Sequence, residues 1–473
     1  MNEQLNTFLR EIELAIGVEF HFVGGCVRDE ILDIPCNDID LIALGLTQDE
    51  LHAGLSKFGK VDVTGAVFGV TRFFPNDRQF PLLEISLPRK EVSTGPAHKD
   101  FVVEFDHTLS LEDDLTRRDF TVNSFAKSVA TGEITSVDGA RIDLGLSALR
   151  FISDTSAQDD PLRILRAIRF VSKLGFALEV NSRQQCRDNV HLLANVSAER
   201  IQEELLKILT GRYVGTALRA AQDLGIWKVI LPELEACVGV EQNHYHSLTV
   251  FEHIVEVVQH TKSSDWQVKL AALFHDIAKP PTKWTGDDGV NHFYDPEPGQ
   301  EFIMAPEIPG NHEIVGADIA RSVMNRLKFS NSNVDRVAGL VRLHMFIQGK
   351  NLRKQSARKL LRQLSVLPGD LQENVDALFA LRFGDILGGK VGFVNEDYIE
   401  QNQNFKNIVD AELEKESAVN VKDLAIGGRD LIELGMVPGP EFSALLNDLL
   451  DKVIENPELN TRGALLELVG AAR

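Results

Sequence analysis

The amino-acid sequence predicts an α+β protein, in which a small mixed sheet with helices is followed by an all-α second part. Up to about residue 146, short apolar runs alternate with turn residues, a pattern typical of strands. From about residue 147, apolar residues recur mainly at helical spacing. The chain has 473 residues, which is too long for one hydrophobic core, so we expect several domains.

The first part combines helices with strands. Residues 1 to about 18 have the periodicity of an amphipathic helix, and further helical patterns lie at 28–32 and 47–57. Strands are predicted in the runs FHFVGG, DLIAL, GKVDVTGAVFGVTRFF, LLEISLPR and EITSVDG.

The second part begins with two well-delimited helices. The run DPLRILRAIRFVSKLGF has Pro161 near its start and Gly175 near its end, the favoured order of helix boundaries. The run SAERIQEELLKILTG follows, with Ser197 as candidate N-cap and Gly211 as candidate C-cap. The longest loop-like stretch, rich in Pro, Gly and Asp, covers residues 279–300.

Composition and charge favour a cytoplasmic protein. The formal net charge of −21 favours solubility and opposes indiscriminate binding to nucleic acid, although a local basic surface could still bind RNA. The four cysteines form no CxxC pair, which indicates reduced, intracellular thiols. We expect neither a signal peptide nor a membrane partner, because no apolar run reaches the required length.

Two aspartates stand at the start of a predicted buried strand. Asp38 and Asp40 are two residues apart, so on a strand their carboxylates point the same way. Two converging oxygen ligands suit Mg²⁺ that accompanies nucleotide phosphates. Upstream, Gly25 permits close approach of the backbone to a ligand, and the Arg28 guanidinium suits phosphate. For the aspartate pair alone, the alternative is a polar turn that caps a strand.

Arginines form a second pattern. Arg163, Arg166 and Arg169 recur every three residues and define one drifting face of a helix. Such a face is usually solvated. The absence of acids between these arginines is nevertheless unexpected in a chain that is acidic overall, so a binding role is also considered.

These motifs occur in a recognisable order between residues 20 and about 207: VGGCVRD…DIDL, RRDFTVNSFA, DGARIDL, DDPLRILRAIRF and ERIQEEL. The series resembles the class II tRNA nucleotidyltransferases, whose CCA-adding enzymes share a catalytic head with bacterial poly(A) polymerases. The resemblance implies template-independent addition and repair of the 3′-terminal CCA of tRNA from CTP and ATP. The RNA partner would be the acceptor arm and 3′ end of tRNA.

The resemblance also implies roles for individual residues. Asp38 and Asp40 would hold catalytic Mg²⁺, with Glu84 as a candidate third carboxylate. Asp160 and Arg163 would bond the edge of the base and so choose between CTP and ATP. The family often has glutamate where this chain has Asp159, which puts one supporting contact in doubt. The remaining nucleotide contacts would come from Gly25, Arg28, Arg118, Arg166 and Arg169.

Histidines and acids form a third pattern in the second half. The adjacent His275 and Asp276 end an apolar helix, where two buried ligand-type groups are costly without a partner. With His253 and Asp385 they resemble the HD superfamily of metal-dependent phosphohydrolases. Two further positions that some members use for a second metal are matched by His312 and His344.

This second resemblance implies a divalent transition metal such as Mn, Ni, Co, Fe or Zn, because the ligands mix imidazole and carboxylate. The implied activity is that of a phosphatase or a 2′,3′-cyclic phosphodiesterase. The alternative is a degenerate HD fold that serves as an RNA-binding body.

Four domains are predicted: a nucleotidyltransferase head (1–146), a helical neck that binds RNA (147–235), an HD domain (236–400) and a helical C-terminal segment (401–473). Alternatives are a poly(A) polymerase, an enzyme that adds only CC or only A, a silent RNA-binding protein, and a hydrolase with a vestigial head. The nearly neutral C-terminal residues favour tRNA over poly(A) synthesis, which usually accompanies a basic tail.

Overall fold

The structure is a computed structural model that describes residues 3–36, 38–65, 70–93, 101–105, 108–242, 247–287, 289–296, 302–346, 353–389, 396–415 and 418–471. It contains two compact units: residues 1–201 with 223–229, and residues 202–222 with 230–473. In the described part of the chain, no helix is long and apolar enough to cross a membrane.

The first unit holds most of the strands. Its elements, in chain order, are α1 (Glu3–Ile16), β1 (Glu19–Val23), α2 (Gly25–Ile31), β2 (Asp40–Leu44), α3 (Gln48–Leu55), β3 (Gly59–Gly65), β4 (Val70–Pro75), β5 (Leu83–Ser86), β6 (Arg89–Ser93), β7 (Phe101–Phe105), α4 (Leu111–Thr116), β8 (Phe125–Ser128), β9 (Ile134–Ser136), α5 (Ala140–Gly145), β10 (Ala148–Leu149), α6 (Ser156–Asp159), α7 (Leu162–Leu174), β11 (Ala177–Leu178) and α8 (Val180–Asn189). Short 3₁₀ helices occupy Thr121–Asn123 and Val190–Asn195.

Three helices contribute residues to both units: α9 (Ala198–Leu209), α10 (Val214–Asp223) and α11 (Ile226–Ile230). The second unit continues with α12 (Pro232–Glu235), α13 (Val250–His260), α14 (Trp266–Phe274), α15 (Lys279–Thr282), β12 (Trp284–Gly286), β13 (Asn291–His292), β14 (Phe302–Met304), α16 (His312–Arg326), α17 (Asn331–Leu343), α18 (Lys354–Ser365), α19 (Leu371–Gly388), α20 (Glu396–Leu413), α21 (Gly428–Glu433), α22 (Pro440–Glu455) and α23 (Arg462–Ala471). The predicted α+β class is confirmed.

A seven-stranded mixed sheet forms the centre of the first unit. Its strand order is β3-β4-β5-β2-β1-β8-β9, and the β2–β5 pair is parallel whereas the other pairs are antiparallel. In β2, Leu41, Ile42 and Ala43 are fully buried, but Asp40 at the start of the strand is exposed. The sheet therefore buries its apolar residues and leaves the aspartates at one end.

The helix that carries the arginine pattern has the predicted boundaries. In α7, Pro161 is the N-cap residue, and Gly175 ends the helix in the left-handed conformation with a φ of 73°. Ile164, Leu165 and Ile168 are fully buried. The arginines therefore lie along the less buried side of α7, as the periodicity predicts.

The second part is not purely helical, and this corrects the all-α prediction. Strands β12 and β13 lie within the predicted loop at 279–300, of which residues 288 and 297–300 are outside the described residues. They form a three-stranded sheet with β14, and a backbone hydrogen bond joins Gly286 to Val290. The glycines form the turn, and Trp284 and Thr285 are residue types that favour strands. The segment is therefore a hairpin although its overall composition is typical of a loop. Strands β10 and β11 add a two-stranded pair to the predicted neck.

The last helices have their own buried core, which includes Leu431, Leu449, Leu465 and Val469. The four domain boundaries stay a prediction.

Candidate active sites

The acidic site of the first unit lies where two parallel strands begin. Asp40 on β2 is paired in register with Glu84 on β5, so both side chains leave the same face of the sheet. Although Asp40 is exposed as a residue, partial desolvation of its carboxylate raises its pKa, and the negative charges of Glu84 and Asp38 raise it further against the positive charge of Arg118. Asp40 thus lies within electrostatic reach of two further acids, and oxygen ligands of this kind are the ones that Mg²⁺ prefers.

A glycine allows Arg118 to approach this site. Gly24 has a φ of 72°, and a Cβ atom there would lie 2.5 Å from Nη1 of Arg118. Only a residue without a side chain is compatible with both constraints. Nη2 of Arg118 donates to Asp114 at 2.9 Å, and this bond fixes the guanidinium beside the glycine backbone. Gly25 follows as the first residue of α2.

Arg28 lies in the interior and not on an open surface. Its side chain is 1% exposed, and Nε and Nη2 donate to Asp29 at 2.8 and 2.6 Å. Nη1 contacts the side-chain oxygen of Asn123, whose amide donates to Asp119 at 2.9 Å. The geometry gives Arg28 a positioning role, and its direct contact with a nucleotide stays a prediction.

The arginines of α7 interact with residues outside the helix, although the sequence of α7 contains no acids between them. Nε and Nη2 of Arg166 donate to Asp119 at 2.8 and 2.5 Å, and Asp119 is 8% exposed. Nη2 of Arg163 donates to the carbonyl of Arg117 at 3.2 Å. The guanidinium of Arg169 lies 4.8 Å from the ring centre of Phe170. The acid partner comes from a different motif, so a pattern within one helix could not reveal it.

Asp160 is held by two bonds at the start of α7. One carboxylate oxygen accepts from the backbone amide of Leu162 and the other from Nη2 of Arg200, both at 3.2 Å. Arg200 belongs to the ERIQEEL motif, so this bond joins two of the sequence motifs. The carboxylate that is predicted to choose the base therefore has a defined orientation.

The second site is a buried cluster at helix ends. His253 lies on α13, His275 and Asp276 follow α14, and Asp385 lies on the last turn of α19. His312 begins α16 and His344 follows α17. The structure thus brings together all six residues that the sequence predicts for the HD site.

Backbone carbonyls orient all four histidines in the same way. The Nδ1 atoms of His253, His275, His312 and His344 lie 3.1, 2.8, 3.0 and 2.7 Å from the carbonyl oxygens of Gly388, Ala272, Phe293 and Val341. When Nδ1–H donates to a carbonyl, Nε2 is the ring atom left to bind a proton or a metal. Each histidine therefore turns a ligand atom toward the acids, as metal-binding histidines do.

The two oxygens of Asp276 face different histidine pairs. Oδ2 lies 3.2 Å from Nε2 of His253 and 3.2 Å from Nε2 of His275. Oδ1 lies 3.5 Å from Nε2 of His312 and 3.9 Å from Nε2 of His344. Asp385 extends the first group, because its Oδ1 is 3.2 Å from Nε2 of His253. The cluster contains two groups with ligand spacing that share Asp276.

The electrostatics of the cluster fit a metal. Burial would lower the pKa of His253, but hydrogen bonds to Asp276 and Asp385 raise it to about 9. Burial and the neighbouring His275 and His312 lower the pKa of His344 to about 3. The Nε2 atom of His312 is buried without a hydrogen-bond partner among the described residues. A divalent cation would supply that partner and balance the two acids.

Two residues near this site were missed by the sequence analysis. Nζ of Lys279 lies 2.6 Å from Oδ2 of Asp276 and donates to Gln242 at 2.6 Å. Lys279 is three residues after Asp276, and this spacing could have revealed it. Gln242 has no such local pattern, since it precedes Asp276 by more than thirty residues.

Glycines on α19 determine how closely α13 approaches. A Cβ atom at Gly384 would lie 2.2 Å from Oγ1 of Thr261, and one at Gly388 would lie 2.7 Å from a methyl group of Val257. Both positions therefore exclude larger residues. The close contact places His253 of α13 beside Asp385 and the Gly388 carbonyl.

Comparison with known families agrees with this arrangement. The model described as "Poly A polymerase head domain" matches residues 20–150, and "Probable RNA and SrmB- binding site of polymerase A" matches 175–238. The model "HD domain" matches residues 243–370. A "Multifunctional CCA protein" of Herminiimonas arsenicoxydans is 30% identical over 69% of this chain and 73% of its own length. A "CC-adding tRNA nucleotidyltransferase" of Thermus thermophilus is 30% identical over 73% of each chain.

The chain belongs to the tRNA nucleotidyltransferase family. The predicted resemblance, including the HD domain, is confirmed. The chain is an enzyme of the nucleotidyltransferase type, and its head and HD domain both imply dependence on divalent metals. The crystal structure of the Bacillus stearothermophilus CCA-adding enzyme with CTP has the same fold, with a TM-score of 0.69 and 21% identity over 100% of this chain and 99% of that one.

Proposed function

We propose that the enzyme adds and repairs the 3′-terminal CCA of tRNA from CTP and ATP, without a nucleic-acid template. Its RNA partner is the acceptor arm and 3′ end of tRNA. The observation that supports this function best is the meeting of Asp38, Asp40 and Glu84 at one end of the sheet, beside Arg118. Nucleotidyl transfer needs mainly positioning and neutralisation of charge, and this site supplies groups for both.

Asp38 and Asp40 would hold Mg²⁺, with Glu84 beside them. These residues would place Mg²⁺ where it could supply neutralisation of phosphate charge and activation of the attacking hydroxyl group. Arg118 is assigned to the phosphates of the nucleotide, because its positive charge acts on Asp40 and a guanidinium suits phosphate. Arg169 adds positive charge along α7, and Arg166, whose guanidinium is paired with Asp119, remains a predicted nucleotide contact.

Asp160 and Arg163 select the base in this proposal. A carboxylate accepts a hydrogen bond from an exocyclic amino group, and a guanidinium donates to ring acceptors. Cytosine and adenine both carry that amino group. The hydrogen bonds from Leu162 and Arg200 restrict the orientation of the Asp160 carboxylate. The carboxylate can therefore accept a bond from the base in one direction only.

The HD cluster is assigned a phosphohydrolase activity, as a phosphatase or 2′,3′-cyclic phosphodiesterase. His253, His275, Asp276 and Asp385 would hold one divalent ion, and Asp276 with His312 and His344 would hold another. Imidazole-rich ligands favour Mn, Ni, Co, Fe or Zn, and such a metal, held by these residues, would supply Lewis-acid chemistry for hydrolysis of a phosphate ester. Lys279 balances part of the negative charge of Asp276 through an ion pair at 2.6 Å.

The same proposal includes the domain boundaries 1–146, 147–235, 236–400 and 401–473. It also includes a cytoplasmic location, which is consistent with four free cysteines. Poly(A) synthesis is not favoured, because the relatives in the comparison are named for CCA or CC addition.

The test is sequencing of RNA 3′ ends. A tRNA transcript that lacks CCA is incubated with Mg²⁺ and CTP plus ATP, and then with each nucleotide alone. We expect one CCA per transcript, CC with CTP alone, and no addition with ATP alone. A long A tail, addition limited to CC or to A, or no addition at all would each contradict the proposed activity.

A further inference from the structure

Arg382 lies at the edge of the HD cluster and has no role in the mechanism above. It precedes Asp385 by three residues on α19, so the two side chains lie on one face of the helix. Nη1 of Arg382 donates to Oδ2 of Asp385 at 2.5 Å. The other oxygen of this carboxylate, Oδ1, is 3.2 Å from Nε2 of His253. One carboxylate group therefore separates the Arg382 guanidinium from a predicted metal ligand.

Arg382 and Asp385 also lie on the more accessible side of the cluster. Four of the six predicted ligands have side chains that are only 1% or 2% exposed. The side chains of Asp385 and Arg382 are 13% and 17% exposed. A substrate that arrives from solvent therefore reaches the guanidinium without displacing the buried histidines.

The Nε atom of this guanidinium lacks an acceptor. Asp385 binds Nη1, whereas Nε and Nη2 form another edge of the planar group. Nε is buried and has no hydrogen-bond partner among the described residues. A buried donor without a partner is costly, so an acceptor that binds at this edge gains more than one that binds a solvated arginine.

The chemistry of this edge matches a phosphate group. Two parallel N–H groups of a guanidinium donate to two oxygens of one phosphate, and such charge-assisted bonds are stronger than neutral ones. The acids of the cluster are already bound, Asp385 by Nη1 of Arg382 and Asp276 by Lys279 at 2.6 Å. The acceptor that suits this edge is therefore an anion that the substrate brings.

Orientation of Asp385 is the competing role for this arginine. Burial opposes the charged form of Asp385, and the positive charge of Arg382 is the first of the influences that hold its pKa well below the ordinary value. In that role alone, loss of Arg382 would weaken metal binding without a separate effect on phosphate. The buried Nε without a partner favours a ligand in addition to Asp385.

We propose that Arg382 binds the phosphate group of the substrate of the HD centre through Nε and Nη2, while Nη1 holds Asp385. The inference rests on the proposed phosphohydrolase function and adds to it the residue that recognises the phosphate. The contact forms when the substrate binds, so its loss should raise KM more than it lowers kcat.

The first experiment measures binding of inorganic phosphate to the Mn²⁺-loaded full chain by isothermal titration calorimetry. The parent protein carries Asp40→Ala, which removes a metal ligand from the acidic site of the first unit. Arg382→Gln and Arg382→Lys are compared with it. Arg321→Gln is the matched control, because Arg321 forms an exposed ion pair with Asp335. The Mn²⁺ content of each protein is measured by mass spectrometry.

Arg382→Gln should weaken phosphate binding roughly 10- to 150-fold, the strength of charge-assisted hydrogen bonds, with unchanged Mn²⁺ content. Arg382→Lys should give an intermediate affinity, because an ammonium group keeps the charge but lacks the planar fork. Arg321→Gln should bind phosphate as the parent does. The assignment is overturned by an unchanged affinity in Arg382→Gln, by a loss that only follows loss of Mn²⁺ in both Arg382 variants, or by a parent that binds no phosphate.

Kinetics distinguish failure of this contact from failure of the hydrolase. Release of phosphate from 3′-AMP is measured with Mn²⁺, and Arg382→Gln should raise KM by a similar factor with kcat much less affected. If the wild type does not hydrolyse 3′-AMP, the phosphohydrolase function is wrong, and the phosphate titration still decides whether Arg382 binds an anion. If Arg382→Gln lowers kcat alone, Arg382 only positions Asp385 and the phosphate contact is wrong.

Discussion

Asp119 and Arg166, 47 residues apart in the chain, form an ion pair in which Nε and Nη2 of the arginine both donate to Oδ2 of the aspartate. The pair joins the RRDF motif to the arginine face of α7. Asp119 also accepts a hydrogen bond from Asn123, which in turn contacts buried Arg28. Two predicted nucleotide-binding residues are thus joined by side chains that the sequence analysis did not assign to the site.

Replacement of Asp119 by alanine should destabilise the first unit. The substitution leaves the Arg166 guanidinium without its acid partner and removes the acceptor for Asn123. We expect a loss of about 2–3 kcal/mol in the free energy of unfolding, less than for a fully buried pair because Arg166 is partly exposed. Urea denaturation checks this value, and Arg183→Ala on the exposed side of α8 is the control.

The same pair should make stability depend on pH in the acid range. Burial opposes the charged form of Asp119, but Arg166 and Asn123 hold its pKa below the ordinary value. A lowered pKa gives stability that is present above about pH 4 and is lost as the pH falls through the folded-state pKa. The stability difference between wild type and Asp119→Asn should therefore shrink from pH 7 to pH 3. If the stability difference between the two proteins were the same at pH 7 and pH 3, the ion pair would not contribute to stability as proposed.

Asp40→Ala should abolish nucleotide addition with little effect on folding. The substitution removes a carboxylate at the exposed start of β2, so the core strand residues keep their contacts. We expect addition to fall roughly a hundredfold or more, because charge stabilisation at the reacting phosphates is lost. Primer-extension gels measure the rate, and Glu11→Ala on α1 controls for loss of one exposed acid. Wild-type rates in Asp40→Ala would contradict the metal assignment.

Arg163→Ala should relax nucleotide choice before it weakens RNA binding. One base contact is worth about 1–3 kcal/mol of discrimination, so the preference for CTP and ATP over UTP and GTP should fall about fivefold to a hundredfold. Arg200→Ala should have a smaller effect in the same direction, since it only orients Asp160. The ratio of kcat/KM values among the four nucleotides is the measurement. Unaltered ratios in both variants would remove Asp160 and Arg163 from base selection.

Gly384→Ala should disrupt the HD cluster from a distance. The added methyl group would collide with Thr261, so α13 and α19 must separate and His253 must move away from Asp385. We expect destabilisation of about 1–3 kcal/mol and loss of bound metal. Gly389→Ala is the matched control, because its nearest neighbour would be 3.5 Å away. Thermal unfolding and metal content by mass spectrometry should differ between the two variants.

His275→Ala should remove phosphohydrolase activity and leave nucleotide addition unchanged. His275 contributes Nε2 to the cluster in the second unit, whereas the acidic site lies in the first. Loss of one ligand should lower hydrolysis by at least about a hundredfold. A chelator should do the same to the wild type, with recovery on addition of Mn²⁺ or Ni²⁺. His260→Ala, an exposed position on α13, should behave as wild type in both assays.

Local patterns in the sequence were sufficient for much of the fold. The boundaries of α7 follow from Pro161 and Gly175, because helix ends depend on nearby residues. The six residues predicted for the HD site do lie together, and each of them belongs to a short motif. The hairpin at β12 and β13 was missed because its glycines and acids resemble a loop in composition.

Contacts between distant segments could not be predicted. The Asp119–Arg166 pair joins two motifs that carry no sign of each other in the sequence. The same holds for Gly384, whose small size matters only because α13 crosses α19 there. The prediction that Arg166 binds phosphate therefore did not take Asp119 into account, which the fold places beside this arginine.

Asp276 is the one residue shared by the two groups of possible metal ligands among the described residues. A missense mutation at this codon removes an oxygen from both histidine pairs at once, whereas a mutation of His344 affects only one. Substitutions in the cluster should therefore differ in severity. A substitution of Asp276 should reduce hydrolysis as much as removal of the whole cluster would. Natural variants that retain tRNA maturation but have discarded hydrolysis should most often carry their first lesion there.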